Sequence, residues 1–337
     1  MSHPPLRFGY GFDFRNPTEW FKPWHQFYSD LIDFIVWTET LGFEGVWLAE
    51  HHGIEDGYLP SPLTVGTWIA ARTQKMRIDT GVALAPFYHP VRLAEDLAVL
   101  DVLSNGRAGI SLGLGYLQFE ADAYGFDLSR RGKIADELLQ IVVKLWEGET
   151  VTFDGEFFQV KKARIFPLPI QKPHIPIFVG GTTQKGFRRA ARYADGFNGP
   201  VEYYPAYLEE VRALGKPDSA ARIQSLSYSD MWMVVWDDRE EALNEIAPHA
   251  YYQINGYAEW QKDEDWAPFE QQSLEDFKKN DPNLKVFTSG QAIDYIRSRQ
   301  EQAPIESFCM QVPAGCSPEK YRKYAQKFAD EVIPAFR

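Results

Sequence analysis

The chain has 337 residues, 45% of them hydrophobic, which is enough for one large core, and α/β barrels reach this size as a single domain covering 1–337. A formal charge of −12 with no Lys/Arg block argues against a nucleic-acid partner, because nothing would displace the counterions of a phosphate backbone. No apolar run approaches the roughly 18 residues needed to span a bilayer. Two cysteines and no charged-then-apolar leader in residues 1–5 lead to the expectation of a cytoplasmic protein without a disulfide framework.

In chain order, short β-like runs alternate with amphipathic segments. The strands are expected at 6–12, 45–49, 77–84, 108–114, 175–180, 196–200, 229–236 and 307–312. Helical patterns separate or follow them at 27–41, 62–71, 91–103, 133–146, 185–193, 204–214, 239–246 and 292–299. Eight such pairs predict a (β/α)8 TIM barrel rather than an open doubly wound sheet. Two insertions interrupt the alternation. Residues 150–174 alternate around an Asp154-Gly155 turn and read as a β-hairpin before strand 5. Residues 251–288 are rich in Trp, Tyr, Gln and acids and show no clear period, so an irregular excursion at the barrel mouth, either lid or interface, is expected before strand 8.

The run Gly45-Val46-Trp47-Leu48-Ala49 ends in Glu50-His51-His52. A buried parallel strand carries reactive groups at its carboxyl end, and adjacent side chains point to opposite faces unless the strand has already broken into loop. One imidazole is therefore chemical and the other positional. Gly180-Gly181-Thr182-Thr183-Gln184-Lys185-Gly186 follows an apolar run and opens a helix. Free backbone N–H groups, hydroxyls and a lysine at a helix start suit a phosphate, although an ordinary Thr-capped helix reads the same way. Gly113-Leu114-Gly115-Tyr116-Leu117-Gln118 lacks the third glycine of a dinucleotide fingerprint, so its glycines let a strand end pass close to a flat ligand or simply turn a corner. A metal on Glu50, His51, His52 and His89 is disfavoured because adjacent strand histidines diverge. No Gly-x-Ser-x-Gly elbow occurs.

Taken together, segments 42–52, 81–96, 100–107 and 113–116, then Gly180-Gly181-Thr182 and 190–196, resemble in order the bacterial luciferase-like flavin-dependent monooxygenases, a family related to F420-dependent oxidoreductases. The resemblance is strong over about the first two hundred residues and weaker beyond. It implies an FMN enzyme in which FMNH2 and O2 form a C4a-peroxyflavin that oxidises a small organic substrate. The reduced flavin would come from a separate reductase, since the chain has no nicotinamide fingerprint of its own. His51 would lie beside the reactive flavin edge, and His52 and Glu50 of the same Glu50-His51-His52 pattern are the further catalytic candidates. A non-proline cis peptide near Gly81-Val82 would support the isoalloxazine, with Gly115 and Tyr116 beside it. The phosphate would fall on Gly180, Gly181, Thr182 and Lys185. Where luciferase α-subunits place a phosphate-binding arginine this chain has Leu114, so Arg130, Arg131 or Lys185 would substitute. Segments 100–107 and 195–196 are expected to fix turns at the barrel's lower face.

Phe12, Trp24, Phe87, Tyr88, Tyr116 and Trp232 are candidates for an aromatic pocket, of which no more than half are expected to serve. The resemblance also implies a homodimer, and the apolar stretch 20–28 offers a surface for it. Two other functions stay open: F420- or FMN-dependent oxidoreduction without oxygen chemistry, in which Asp-His often replaces Glu-His-His, and flavin binding without catalysis.

Overall fold

A computed structural model describes residues 6–225, 231–262, 269–280 and 282–337. Its strands are β1 (Arg7–Phe12), β2 (Gly45–Leu48), β3 (Arg77–Thr80), β4 (Ala83–Leu84), β5 (Ile110–Gly113), β6 (Val151–Asp154), β7 (Gln159–Ala163), β8 (Ile177–Gly180), β9 (Gly196–Asn198), β10 (Arg222–Ser225), β11 (Trp232–Val235), β12 (Leu284–Phe287) and β13 (Ile305–Gln311). The helices are α1 (Trp24–Thr40), α2 (Pro62–Arg72), α3 (Pro90–Ser104), α4 (Gln118–Tyr124), α5 (Arg131–Trp146), α6 (Gln184–Tyr193), α7 (Tyr204–Ala213), α8 (Arg239–Trp260), α9 (Leu274–Asn280), α10 (Ser289–Gln302) and α11 (Pro318–Glu331).

Nine strands form one parallel sheet in the order β3-β2-β1-β13-β10-β9-β8-β5-β4. A further parallel bridge between Ile78 and Ala108 ties β3 to the approach of β5 and closes the ring. The third barrel strand is thus split. β3 pairs with β2, β4 pairs with β5, and the peptide Gly81–Val82 between them is cis. The result is the expected eight-position barrel.

Packing follows from side-chain alternation along each strand. Phe8 and Tyr10 of β1 point outward and meet Phe328 and Tyr321 of α11 edge-on. Inward positions are small or polar, because Trp47 fills the barrel axis. A Cβ on Gly9 would lie 1.8 Å from the Gly45 carbonyl, and one on Gly45 would lie 2.5 Å from the Trp47 ring. The lower-face turn at 100–107 is held as its sequence implies. Asn105 and Gly106 take left-handed φ values of 56° and 79°, and the Arg107 guanidinium donates to the carbonyls of Ala70, Thr73, Met76 and Ser104.

The seventh barrel strand is not 229–236, as the sequence predicts, but Arg222–Ser225. The apolar run Trp232–Val235 is a strand, yet it pairs with Leu284–Phe287 in a separate two-stranded parallel sheet, and residues 226–230 lie outside the described part. Hydropathy misleads here because the inward residue of the true strand is Gln224, whose Oε1 lies 3.4 Å from the Trp47 Nε1 and 3.3 Å from the Ser111 Oγ. The stretch 251–288 also departs from expectation. Helix α8 runs on through Pro248 to Trp260, and α9 and β12 follow. Its buried residues Leu243, Ile246, Ala247, Ala250, Gln253, Ile254, Tyr257 and Ala258 keep a helical period, which polar and aromatic members of that face conceal. β6 and β7 pair antiparallel as a hairpin ahead of β8.

Candidate active site

A cavity of about 910 Å³ opens at the carboxyl ends of the barrel strands, where loops supply function in this architecture. Its lining includes Glu50 and His51 after β2, Gly81 and Val82 between β3 and β4, and Gly115 and Tyr116 after β5. Gly180, Gly181, Thr182 and Lys185 after β8 complete the set. Residues separated by more than a hundred positions in sequence thus share one space.

The two adjacent imidazoles diverge. The His51 ring lines the cavity and packs against Tyr58, Tyr116 and Trp260 at centroid distances of 4.8, 5.5 and 5.5 Å. Its Nδ1 lies 2.9 Å from Oε1 of Glu120, a residue of α4 that is 1% exposed. A carboxylate accepts, so the Nδ1 N–H is the donor of this pair, and in the neutral imidazole Nε2 is then the atom with the free lone pair. The same Glu120 oxygen accepts the His52 backbone N–H at 2.6 Å. His52 does not line the cavity. Its ring stacks on Phe87 at 4.9 Å, with Nδ1 3.0 Å from the Tyr124 hydroxyl and Nε2 3.3 Å from Glu50 Oε1.

Glu50 reaches the cavity wall but is committed to structure. It accepts from the Leu84 backbone N–H at 2.6 Å and the Tyr88 hydroxyl at 2.7 Å, which pins β4 just beyond the cis peptide. Next to Gly180, α6 begins with Thr183 as its cap, the Thr183 Oγ1 accepting from the Gly186 N–H at 3.4 Å. The same end of the cavity collects Arg130, Arg131, Lys133, Lys185, Arg188, Arg189 and Arg192. Four of these are neutralised locally, Arg130 and Lys133 by Glu156, Arg188 by Glu210 and Arg189 by Asp136. Lys185 has no hydrogen-bond or ion-pair partner among the described residues. In a chain of net charge −12 this end of the cavity is locally rich in cations, beside the start of a helix.

Several lining residues carry no mark in the sequence. Tyr58 and Tyr257 place their hydroxyls 2.9 Å apart, and burial pushes the Tyr58 phenol well above its usual range. Asn198, Met231, Gln261, Cys309 and Gln311 also face the space. Of the six aromatic candidates only Tyr116 lines it. Phe12 is core, Trp24 lies over Gly57, Phe87 backs His52, Tyr88 holds Glu50, and Trp232 donates to Gln253 at 2.7 Å. Behind Tyr58 a buried cluster fixes α8 to the barrel. Arg15 donates to Asp56 at 2.7 Å and lies over the rings of Tyr58, Tyr252 and Trp260, while burial raises Asp13 to about 6 despite the adjacent Arg15.

Residues 12–293 match the family model described as luciferase-like monooxygenase. The chain is 28% identical to the oxygenase component of a flavin-dependent trigonelline monooxygenase from Acinetobacter baylyi, over 92% of this chain and 90% of that protein. It is 29% identical to an F420-dependent glucose-6-phosphate dehydrogenase from Nakamurella multipartita, over 85% and 87%. The fold is similar to the crystal structure of a monooxygenase from Streptomyces bottropensis, with a TM-score of 0.77 at 24% identity over 98% of this chain and 100% of that one.

Proposed function

The chain belongs to the luciferase-like monooxygenase family, and from that premise we propose that it binds reduced FMN and uses O2 to oxidise a small organic substrate. The observation that carries this reading is one cavity joining His51, the Gly81–Val82 link between β3 and β4 and the cationic start of α6. The residues suit the cofactor. Lys185, Gly181 and Thr182 would take the phosphate, with Arg131 as a second cation, which accounts for the loss of the arginine expected at Leu114. The Gly81–Val82 link, braced by Glu50, would carry the ring face, and Gly115 leaves the approach open.

Bound reduced FMN would supply the electrons that activate O2. This chain's part is to hold and move a proton and to keep water out. His51, held at Nδ1 by Glu120, would turn Nε2 toward the bound flavin, where an imidazole can take or give a proton. Tyr58, Tyr116 and Trp260 pack their rings against it and would exclude solvent. His52 and Glu50 are positioning residues.

The name of the Acinetobacter relative supports an oxygenase component served by a separate flavin reductase. No described helix is long and apolar enough to cross a membrane, and the buried unpaired Cys309 and Cys316 support the cytoplasm as compartment. The homodimer remains a proposal: within the stretch 20–28 Phe21 and Trp24 are exposed and Phe27 is buried, and a second apolar surface lies elsewhere. Trp68 of α2 and Val99, Val102 and Leu103 of α3 are exposed on two helices that pack together. Light scattering at micromolar concentration should give twice the chain mass, and a monomer would reject the dimer.

Titration with FMN, FMNH2 and F420, followed by turnover under labelled O2 with an anaerobic control, tests the function. Tight FMNH2 binding and label in the product are expected. Saturable F420 binding with turnover that persists without oxygen would move the assignment to an F420 oxidoreductase, and flavin binding without turnover would leave a binding protein.

A further inference from the structure

The proposed cofactor contacts occupy one continuous arc of the barrel mouth, from the end of β2 through β3, β4 and β5 to β8. The remaining arc, which starts beside β8 where Asn198 pairs in register with Gly180, is made by β9, β10, β13, the residue before β11 and the end of α8. It contributes Asn198, Met231, Gln311, Tyr257 and Gln261 to the cavity. The two arcs differ in charge. Every Lys or Arg on the cavity wall lies within 130–133 or 185–192, on the cofactor side. The remaining arc has none among the described residues, and segments 226–230 and 263–268 contain no Lys or Arg in their sequence. Arg15 is not an exception, since it is held by Asp56 behind Tyr58 and does not line the cavity.

That arc does hold unpaired hydrogen-bonding groups. Asn198 is 3% exposed, and neither its Oδ1 nor its Nδ2 has a partner. Its neighbour Phe197 packs outward on Phe187 and Tyr207, so strand alternation turns Asn198 toward the barrel axis. Gln261, 1% exposed, leaves its Oε1 unpaired in the same wall. Buried amides are almost always satisfied, and among the described residues both polar atoms of Asn198 and the Oε1 of Gln261 have no partner.

We propose that Asn198 and Gln261 form the substrate-recognising pair, and that the substrate is an uncharged, planar molecule with a donor and an acceptor side by side: a carboxamide, a lactam or an oxo-substituted nitrogen heterocycle. The proposal rests on the cofactor reading above. A primary amide offers C=O and NH2 together and pairs with the same two groups reversed. A carboxylate, sulfonate or phosphate ester would be stripped of water against a wall with no cation to receive it. Tyr257 and Met231 then supply flat and adaptable apolar contacts for the ring.

The test uses the FMN-loaded protein and two matched probes, 2-naphthamide and 2-naphthoate, by calorimetric titration. The amide should bind about tenfold tighter than the carboxylate or better, because unpaired buried groups discriminate strongly against a mismatched ligand. Asn198→Ala should remove most of that preference, with the amide weakened about tenfold and FMN affinity within about twofold. Asn198→Ser and Gln261→Ala, checked by thermal melting, cover the case of a misfolded variant. Equal or tighter naphthoate binding, binding of neither probe, or a loss of FMN affinity in Asn198→Ala would overturn the proposal. FMN is titrated in the same samples: if wild type fails to bind it, the cofactor reading falls, while the amide-to-carboxylate ratio without FMN still decides this one.

Discussion

Glu120 offers the sharpest test of how the site works. Its Oε1 receives two N–H groups, His51 Nδ1 at 2.9 Å and the His52 backbone at 2.6 Å, in a setting 1% exposed. Hydrogen bonds to a charged group contribute about 1.5–3 kcal/mol each, roughly twice a neutral one. Glu120→Gln keeps the size and one accepting oxygen but loses the charge, so about 1–2 kcal/mol of His51 orientation should go. Expressed in the reaction, that is roughly a tenfold drop in kcat with KM little changed and more hydrogen peroxide released per flavin oxidised. Glu120→Ala should do worse, because two buried donors lose their acceptor at about 1–3 kcal/mol each, and part of that loss should appear as a lower Tm. The assay is kcat, KM and peroxide yield across pH, with melting curves alongside. A Gln variant with wild-type kcat, pH profile and coupling but a lowered Tm would show that Glu120 only braces α4 against the loop after β2, and the positioning argument would fail.

His51→Ala should cut coupled product formation by at least about 10² while FMN still binds, and His52→Ala should cost less because its ring lies outside the cavity, stacked on Phe87 with Nδ1 at the Tyr124 hydroxyl; the reverse ranking would exchange their roles. Lys185→Ala removes an otherwise uncommitted charge from the start of α6 and should raise the FMN dissociation constant roughly tenfold to a hundredfold. An unchanged constant would place the phosphate elsewhere. His249, packed against Trp20 at 4.0 Å and 4% exposed, has its pKa lowered by burial from 6.5 to about 4. The unfolded chain therefore binds a proton between those values and the folded one does not, so stability is complete above pH 6.5 and falls by up to about 3 kcal/mol as the pH drops toward 4. Denaturant unfolding at pH 7 and pH 4.5 should show His249→Gln losing less across that interval than wild type, and equal losses would sink the assignment.

Periodicity and end-of-strand chemistry made the barrel, the hairpin at 151–163 and the phosphate-suited turn at 180–186 readable from the residues alone. These are local signals: an apolar run ending in Glu50-His51-His52, an Asp-Gly turn, a Gly-Gly step before a capped helix. Alternation along a strand suggested that His51 and His52 would diverge, and they do, but in the loop after β2 has ended at Leu48, so the loop and its partners Glu120 and Phe87 set the two directions. Distance along the chain hid the rest. Glu120 lies 69 positions from His51, on a helix whose neighbouring residues announce nothing, and only the closing of β5 beside β4 brings it to the imidazole. Tyr257 and Gln261 became wall residues because α8 crosses the mouth, held there through Arg15, Asp56 and Tyr252. β10 escaped notice because a barrel interior that holds Trp47 needs a hydrogen-bond acceptor at Gln224, and polarity inside a strand defeats a reading based on hydropathy. Local propensity and pattern thus determined which elements exist and which carry chemistry. Tertiary packing decided which side chains meet, because contact, burial and unpaired hydrogen-bonding groups arise only when remote segments share one space.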